Sequence, residues 1–277
     1  MSARIRNRRA FTPGLGGALE SRLLLSATSG VIPNYHIPPR PGFVGARTAD
    51  HGHAVAINDV DGEIYVVNLL NGGTVRAIPR RGGIVDLVID GSVPTSELTI
   101  NPFVRANPRH TAHNFPLGTA RHNGVLNIGN VTVTSGVIGS ILGYQTANLN
   151  GTISVPGTIR VDRVAFENIK PGATIVTGGD LNTLDVYNNA SFNTPNTGLR
   201  IGRDLNAVNV GGNLSITNGA TFQVARDLGA FAQGAKGSGP AGQGIIVIGN
   251  FTAGTGAISV VRFGANRIFV EGTTTNV

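Results

Sequence analysis

The sequence contains no cysteine and no tryptophan, and only 13% of its 277 residues are charged and 5% aromatic. Without cysteine the chain has no disulfide, no thiolate metal ligand and no cysteine nucleophile. Lysine and glutamate are too few to cover many solvated helix faces, and no segment after residue 30 shows a sustained 3.6-residue apolar period with caps. These absences argue against a helical protein and against thiol chemistry.

The positive charge is concentrated at the N-terminus. Residues 1–27 carry five arginines and one glutamate, whereas the other 250 residues carry 17 basic and 14 acidic side chains. A nucleic-acid-binding domain would cluster lysine and arginine on its folded part, with aromatic residues between them in a single-strand binder. Here arginine is scattered and lysine occurs twice, so no nucleic-acid partner is predicted. No run of 18 apolar residues exists, so no transmembrane helix is predicted.

Glycine and asparagine are abundant, with 40 and 26 residues respectively, which favours tight turns between short strands. From about residue 58 onward the apolar residues form runs of four to seven residues, either alternating or β-branched throughout. Examples of these runs are Glu63–Val67, Gly83–Ile89, Ser96–Ile100, Asn130–Thr134, Gly157–Val161 and Gly244–Ile248. The pattern predicts an all-β chain.

A repeat of about 23 residues runs through the second half of the sequence. Gly179–Val186 (GDLNTLDV) returns as Arg203–Val210 (RDLNAVNV), a weaker copy begins at Arg226, and the Asp-Leu pairs start 24 and 23 residues apart. Gly172–Val176 is echoed 47 residues later, from Gly219. At about 3.3 Å per strand residue, one such unit suits a turn of three short strands stacked on the next turn. The repeat therefore predicts a parallel β-helix, or β-solenoid.

The same period predicts which side chains form the core. Three apolar residues of one coil should stack on their equivalents 24 residues later: Leu181 on Leu205, Leu184 on Val208 and Val186 on Val210. The Gly, Asn and Thr content of each unit excludes helical repeats, and the fixed leucine spacing of leucine-rich repeats is not present. A β-propeller with about 40–50 residues per blade remains an alternative, and so does an irregular β-sandwich for 58–150.

The chain is predicted to consist of four segments. They are an export leader-like segment at 1–27, a proline-rich linker or extended arm at 28–57, an irregular β region at 58–150 and solenoid repeats at 151–277. Proline resists both sheet ladders and helices, and Pro33, Pro38, Pro39 and Pro41 are the basis for the linker.

The leader-like segment combines a basic head with the run Ala18–Ala27, ALESRLLLSA. This run resembles the LExRxLLS leader of large surface and secreted planctomycete proteins. Gly143–Gly151, Gly178–Leu184 and Gly211–Leu214 are similar to repeats of those same proteins. The resemblance implies an exported extracellular β-repeat protein and assigns no catalytic residues. An amphipathic N-terminal helix without an address function is the alternative for 1–27.

Acidic residues recur at one position of the repeat. Asp180, Asp204 and Asp227 should stack along one edge of the solenoid, where Arg203 and Arg226 can pair with them from neighbouring coils. We predict a structural role, because a calcium site needs six or more oxygens from several acidic residues. A calcium ladder or a carbohydrate-binding edge is the alternative.

The other candidate metal ligands are also interpreted as structural. Asn58–Glu63 contains Asp-x-Asp-Gly but lacks the remaining ligands of a calcium loop, so a hairpin turn with Asp61-Gly62 as its bend is predicted. A zinc site needs three or four convergent ligands, and no acidic residue lies between 98 and 161. We therefore predict no metal and solvated histidines at His51, His53, His110, His113 and His122.

Catalysis by a β-helix on polysaccharides needs paired carboxylates or a positioned base. Asp185 is matched one coil later by Asn209, so no carboxylate pair is predicted there, and Asp162 is predicted to form a local ion pair with Arg163. We therefore predict no catalytic residue and no cofactor.

The resulting hypothesis is an extracellular or cell-surface structural or adhesive β-solenoid. Its expected partners are extracellular polysaccharide, other surface proteins, or a second copy bound through the C-terminal coil. The alternatives are a polysaccharide-active β-helix enzyme, either lyase or hydrolase, and a calcium-dependent carbohydrate-binding module.

Overall fold

The computed structural model describes residues 44–60, 62–102, 124–216 and 218–226 with their side chains. It also describes the backbone of 228–233, 245–248, 251–253, 267–270 and 274–276. All of these belong to one compact unit, Ile37–Val277. The leader-like segment, Asp61, His110, His113, His122 and Asp227 lie outside the described residues.

The described residues form 22 strands and one turn of 3-10 helix at Asp50–Gly52. The first six strands are β1 (Gly45–Ala49), β2 (Ala54–Asn58), β3 (Ile64–Leu70), β4 (Thr74–Pro79), β5 (Ile84–Asp90) and β6 (Glu97–Pro102). The next eight are β7 (Leu126–Val133), β8 (Ser140–Leu149), β9 (Thr152–Val155), β10 (Val161–Ile169), β11 (Thr174–Thr177), β12 (Leu181–Val186), β13 (Ala190–Phe192) and β14 (Gly198–Ile201). The last eight are β15 (Leu205–Val210), β16 (Leu214–Ile216), β17 (Thr221–Val224), β18 (Leu228–Gln233), β19 (Ile245–Ile248), β20 (Phe251–Ala253), β21 (Arg267–Val270) and β22 (Thr274–Asn276).

The first six strands pair mainly antiparallel. β1 pairs with β2, β2 with β3, β3 with β6, and β4 with β5, all antiparallel. β5 and β6 then pair in parallel with β7 and β8. The antiparallel strands thus cover the first coil, as a capping unit does in a repeat protein.

From β7 onward the pairing is parallel, and the strands form three ladders. One ladder runs β6–β8–β10–β12–β15–β18, and a second joins the ends of β7, β8 and β10 to β13, β16, β19 and β21. The third runs β7–β9–β11–β14–β17–β20–β22. About four coils spaced about 23 residues apart lie between residues 126 and 224, which confirms the predicted parallel β-solenoid.

The predicted core register is confirmed. Leu181 pairs with Leu205, Leu184 with Val208 and Val186 with Val210, and all six side chains are buried. The 47-residue echo also spans two coils, because Thr174 pairs with Gly198, which pairs with Thr221. Each buried Val, Leu, Ile or Phe stabilises the stack by roughly 1.5–3 kcal/mol relative to an exposed side chain.

Two segments differ from the predicted organisation. Residues 28–57 were expected to be a linker or extended arm, yet they contain β1 and all of β2 except its last residue, Asn58. The last proline of that segment is Pro41, and the strands begin after it, at Gly45. The regular coils also begin at about 126, inside the region expected to be irregular. Among the described residues no helix is long and apolar enough to cross a membrane.

Candidate functional site

Polar side chains on the outside of the coils mostly bond to the neighbouring coil. One amide ladder follows a corner of the solenoid: Asn148 Nδ2 donates to Asn127 Oδ1 (3.1 Å) and Asn168 Nδ2 to Asn148 Oδ1 (2.9 Å). The backbone N–H groups of Asn189 and Asn213 continue it by donating to Asn168 Oδ1 and Asn189 Oδ1. A stacked asparagine both donates and accepts, so identical side chains satisfy each other along the stack.

The repeated aspartates form the predicted ion pairs with arginines of the next coils. Arg226 Nη2 lies 2.6 Å from Asp204 Oδ2 and 3.5 Å from Asp180 Oδ1, and Arg203 Nε lies 3.6 Å from Asp180 Oδ1. The arginines are roughly two-fifths exposed, so each pair contributes at most about 1 kcal/mol. The predicted pairing of Asp180 and Asp204 with arginines of neighbouring coils is therefore confirmed.

A different arrangement lies on the outer face of the ladder β8–β10–β12, and it begins with an interruption of β8. Gly143 pairs with Phe166 and Asn148 with Asn168, so residues 144–147 of β8 lie opposite the single residue Glu167 of β10. Gln145 adopts a left-handed conformation at φ 62°. Thr146 Oγ1 ties the extra residues to the preceding coil by donating to the Ile100 carbonyl oxygen (2.6 Å).

Tyr144, the first residue of the interruption, lies next to Tyr187, which follows β12. Their ring centroids are 5.3 Å apart, and the rings are nearly perpendicular at 82°. β8 and β12 flank β10, so their backbones are about two strand spacings, roughly 10 Å, apart. The two side chains therefore span the intervening strand β10 to bring their rings into contact. Edge-to-face aromatic pairs of this kind contribute about 0.5–1.5 kcal/mol beyond their buried area.

Beneath the tyrosines lies a buried ion pair. Asp185 Oδ2 accepts from Arg163 Nε at 2.6 Å, and Asp185 Oδ1 accepts from Asn209 Nδ2 at 2.8 Å. The Asp185 side chain is 4% exposed and that of Arg163 26% exposed. Arg163 Cζ also lies 6.0 Å from the centre of the Tyr144 ring, within cation–π distance. We call Tyr144, Arg163, Glu167, Asp185 and Tyr187 the tyrosine cluster.

Two ionisable groups of the tyrosine cluster have shifted pKa values. Burial, followed by the negative charge of Asp185, raises the pKa of Tyr144 to about 12. Burial also raises the pKa of Glu167, an effect partly offset by the positive charge of Lys170. Glu167 Oε1 accepts a short hydrogen bond from Asn188 Nδ2. The cluster therefore offers partly exposed aromatic rings, an ion-paired carboxylate and a second carboxyl group whose pKa is raised by burial.

The remaining described candidates lie in the turn before β2 and in the turn between β2 and β3. His51 and His53 are exposed. Asp59 N–H donates to the Glu63 carbonyl oxygen at the turn between β2 and β3, which confirms the predicted hairpin. Within the part of the chain that the structure describes, no three His, Asp or Glu side chains are grouped so as to hold a metal ion.

The predicted pair between Asp162 and Arg163 is wrong. Asp162 instead pairs with Arg160 at 2.8 Å, and Arg163 pairs with Asp185 one coil away at 2.6 Å. The carboxylate of Asp185 is 4% exposed and that of Asp162 58%, so water screens the charge of Asp162 far more and Arg163 gains more from Asp185. The expected match of Asp185 with Asn209 is confirmed, and the two side chains are hydrogen-bonded.

Tyr144, Glu167 and Tyr187 were not predicted as a group from the sequence. One signal was present: two of the four tyrosines of the chain lie 43 residues apart, close to two coil lengths. That spacing places them near each other on one face once the period of the solenoid is known.

Comparisons with protein-family models, with curated proteins and with solved structures found no match for this chain. The class of the protein therefore follows from its own geometry, which is that of a parallel β-solenoid with an antiparallel N-terminal cap.

The raised pKa of Glu167 predicts a pH-dependent effect of Glu167→Gln. The folded state binds the proton of Glu167 more tightly than the unfolded chain does. The protonated Glu167 therefore stabilises the fold below the pKa of the unfolded chain, and this contribution to the free energy of unfolding is lost as pH rises through the pKa of the folded state. Glutamine keeps an oxygen for Asn188 and removes the charge. We expect the melting temperature of the variant minus that of the wild type to be higher at neutral pH than at about pH 3. A difference that is constant, or that falls with rising pH, would contradict this assignment.

Proposed function

We propose that this chain is an extracellular or cell-surface β-solenoid with a structural or adhesive role and no catalytic activity of its own. The observation that carries the proposal is the use of acidic side chains along the coils. Asp180 and Asp204 pair with arginines of neighbouring coils, and Asp185 is held by Arg163 and Asn209. Side chains used in this way bind one coil to the next, which suits a protein whose role is structural.

The N-terminal segment supports the extracellular part of the proposal. Ala18–Ala27 resembles the leader of planctomycete surface and secreted proteins, and no cysteine is present that would need to be kept reduced or paired during export. The partners that suit such a protein are extracellular polysaccharide, other surface proteins or a second copy that pairs with the C-terminal coil.

Deletion of residues 2–27 tests the proposed location. We expect the full chain to be found in the surface or medium fraction of its native host, and the deletion variant to be retained inside the cell. A deletion of residues 31–41, which removes the prolines and leaves the leader intact, is the matched control and should be exported. If the deletion variant reached the surface and the medium in the same amounts as the full chain, the role of the leader would be disproved.

A polysaccharide-active enzyme is the second candidate, and one observation favours it. Glu167, whose pKa is raised, and the ion-paired Asp185 belong to one cluster, and carboxyl groups in contrasting environments are a frequent acid–base arrangement. The purified chain should be incubated with neutral and uronic polysaccharides while reducing ends and unsaturated uronate are measured. Product formation that disappears in Glu167→Gln would establish the enzyme and overturn the non-catalytic proposal.

A further inference from the structure

The tyrosine cluster is maintained against a conformational penalty. Four residues of β8 lie opposite one residue of β10, and Gln145 occupies a left-handed conformation that is unfavourable for a residue with a Cβ atom. A coil without the interruption would continue the ladder as β10 and β12 do with five paired positions. Bulges and strained residues of this kind are concentrated where a side chain is aimed at a ligand.

The interruption begins with an aromatic residue, Tyr144. Tyr144 and Tyr187 are both partly exposed, whereas the large aromatic residues Tyr65, Phe166, Phe192 and Phe222 are fully buried in the core. The tyrosine pair therefore places apolar ring surface with polar hydroxyl groups on the outer face of an otherwise polar ladder. Aromatic residues of this amphipathic type are preferred where a ligand is apolar on one side and hydrated on the other.

Polar groups with fixed orientation lie beside the rings. Arg163, Asp185 and Asn209 are linked by hydrogen bonds of 2.6 and 2.8 Å, so their positions are set before any ligand arrives. Pre-positioned donors and acceptors beside an apolar surface are the usual composition of a small-ligand site. A sugar ring matches both parts, because its C–H face is apolar and its edge carries hydroxyl groups that donate and accept.

The charges of the cluster indicate which sugars fit. The positive charge of Arg163 is compensated by Asp185 at 2.6 Å, and Glu167 adds a carboxyl group rather than a cation. Because Asp185 already compensates the charge of Arg163, the cluster has no further positive charge of its own to offer an anionic polysaccharide, which would also meet the carboxyl group of Glu167. An uncharged polysaccharide meets no such repulsion.

We propose that the tyrosine cluster is a binding site for an uncharged polysaccharide, with sugar rings packed on Tyr144 and Tyr187 and their hydroxyl groups bonded to Arg163, which Asp185 holds in place. This inference rests on the proposed adhesive function and names its partner class and its site.

Isothermal titration of the purified full chain tests the site. The probes are four soluble neutral polysaccharides (xyloglucan, galactomannan, hydroxyethylcellulose and laminarin) and the anionic alginate. We expect binding to at least one neutral polymer and weaker binding, or none, to alginate. Tyr187→Ala should lower the affinity about tenfold or more because it removes the aromatic surface, whereas Tyr187→Phe should stay within about threefold.

Ile159→Ala is the matched control, because Ile159 is a large apolar side chain that is 45% exposed in a turn away from the cluster. It should bind like the wild type. In case Tyr187→Ala does not fold, the tyrosine ring signals of the wild type should be followed by NMR, and the shifts should occur at Tyr144 and Tyr187 rather than at the buried Tyr65. Failure of all four neutral polymers to bind, equal affinity of Tyr187→Ala, shifts confined to other tyrosines, or preferential binding of alginate would each overturn the proposal.

The export experiment and the titration can fail independently. Loss of polysaccharide binding leaves the location of the full chain unchanged, and an intracellular full chain leaves the binding result of the purified protein intact.

Discussion

Replacing Val208 with aspartate is expected to prevent the solenoid from folding at ordinary temperature or to lower its stability by several kcal/mol. Val208 is fully buried between Leu184 and the next strand of the ladder, β18. The substitution removes about 1.5–3 kcal/mol of apolar burial and adds an unpaired buried charge that costs about 3–5 kcal/mol. The melting temperature measured by circular dichroism checks this expectation.

Ala207→Asp is the matched control for this substitution. Ala207 is the neighbouring residue of β15, points to the outer face and is partly exposed, in register with Thr183. An aspartate there stays hydrated, and surface substitutions of this kind change the stability by about 0.5 kcal/mol or less. Similar melting temperatures for the two variants would show that the strand register of β15 is wrong.

Replacing Gly198 with alanine is expected to destabilise the stack by about 3 kcal/mol or more. Gly198 pairs with Thr174 and Thr221 on either side, and a Cβ atom at this position would lie 1.9 Å from the Thr221 carbonyl oxygen. The two coils would have to separate locally, which adds an overpacking penalty of about 1–3 kcal/mol to the strain of a side chain at φ +126°.

Gly172→Ala separates these two contributions. Gly172 also has a positive φ, +88°, but a Cβ atom there would have no neighbour within 4 Å. This variant should therefore show the backbone strain alone, about 1–2 kcal/mol. Thermal unfolding of both variants is the measurement. An equal loss of stability in Gly198→Ala and Gly172→Ala would show that the coils are not closely stacked at the third ladder.

The fold could be predicted from the sequence where successive coils repeat the same residues. The Asp-Leu pairs at 180, 204 and 227 fix the period, and the period alone predicted the pairing of Leu184 with Val208 and of Arg226 with Asp204. Strands of a parallel stack align residue by residue, so a sequence echo specifies the three-dimensional register directly.

The coils before residue 150 have no such echo. Val131, Ile153 and Ile175 occupy equivalent inward positions, but the core requires only apolar side chains of suitable size there, and the flanking residues differ. Because the packing constrains volume rather than identity, repeats of this kind leave little trace in the sequence. The antiparallel cap was also not predicted, since β1 and β2 follow directly on a proline-rich stretch.

The tyrosine cluster could not be predicted for a different reason. The four residues opposite Glu167 continue a sequence that has ordinary strand composition, so nothing local marks the interruption of β8. The partners of Arg163 and Tyr144 lie 22 and 43 residues further along the chain, and they meet only through the stacking of the coils.

Engineered disulfides can test the coil register most directly, because the chain contains no cysteine of its own. Thr183 and Ala207 are paired on adjacent strands of one ladder and are partly exposed, and adjacent strands are about 4.8 Å apart. This separation lies within the Cα range of a disulfide. Thr183 and Asn209 lie on the same strands two residues out of register, about 8 Å apart and outside that range.

The measurement is disulfide formation in the two double variants, Thr183→Cys with Ala207→Cys and Thr183→Cys with Asn209→Cys, under mild oxidation of the folded protein. A parallel solenoid with 24 residues between these positions predicts rapid cross-linking in the first variant and little in the second. Equal cross-linking of the two variants, or faster cross-linking of the second, would contradict the stacked register on which the fold and the tyrosine cluster depend.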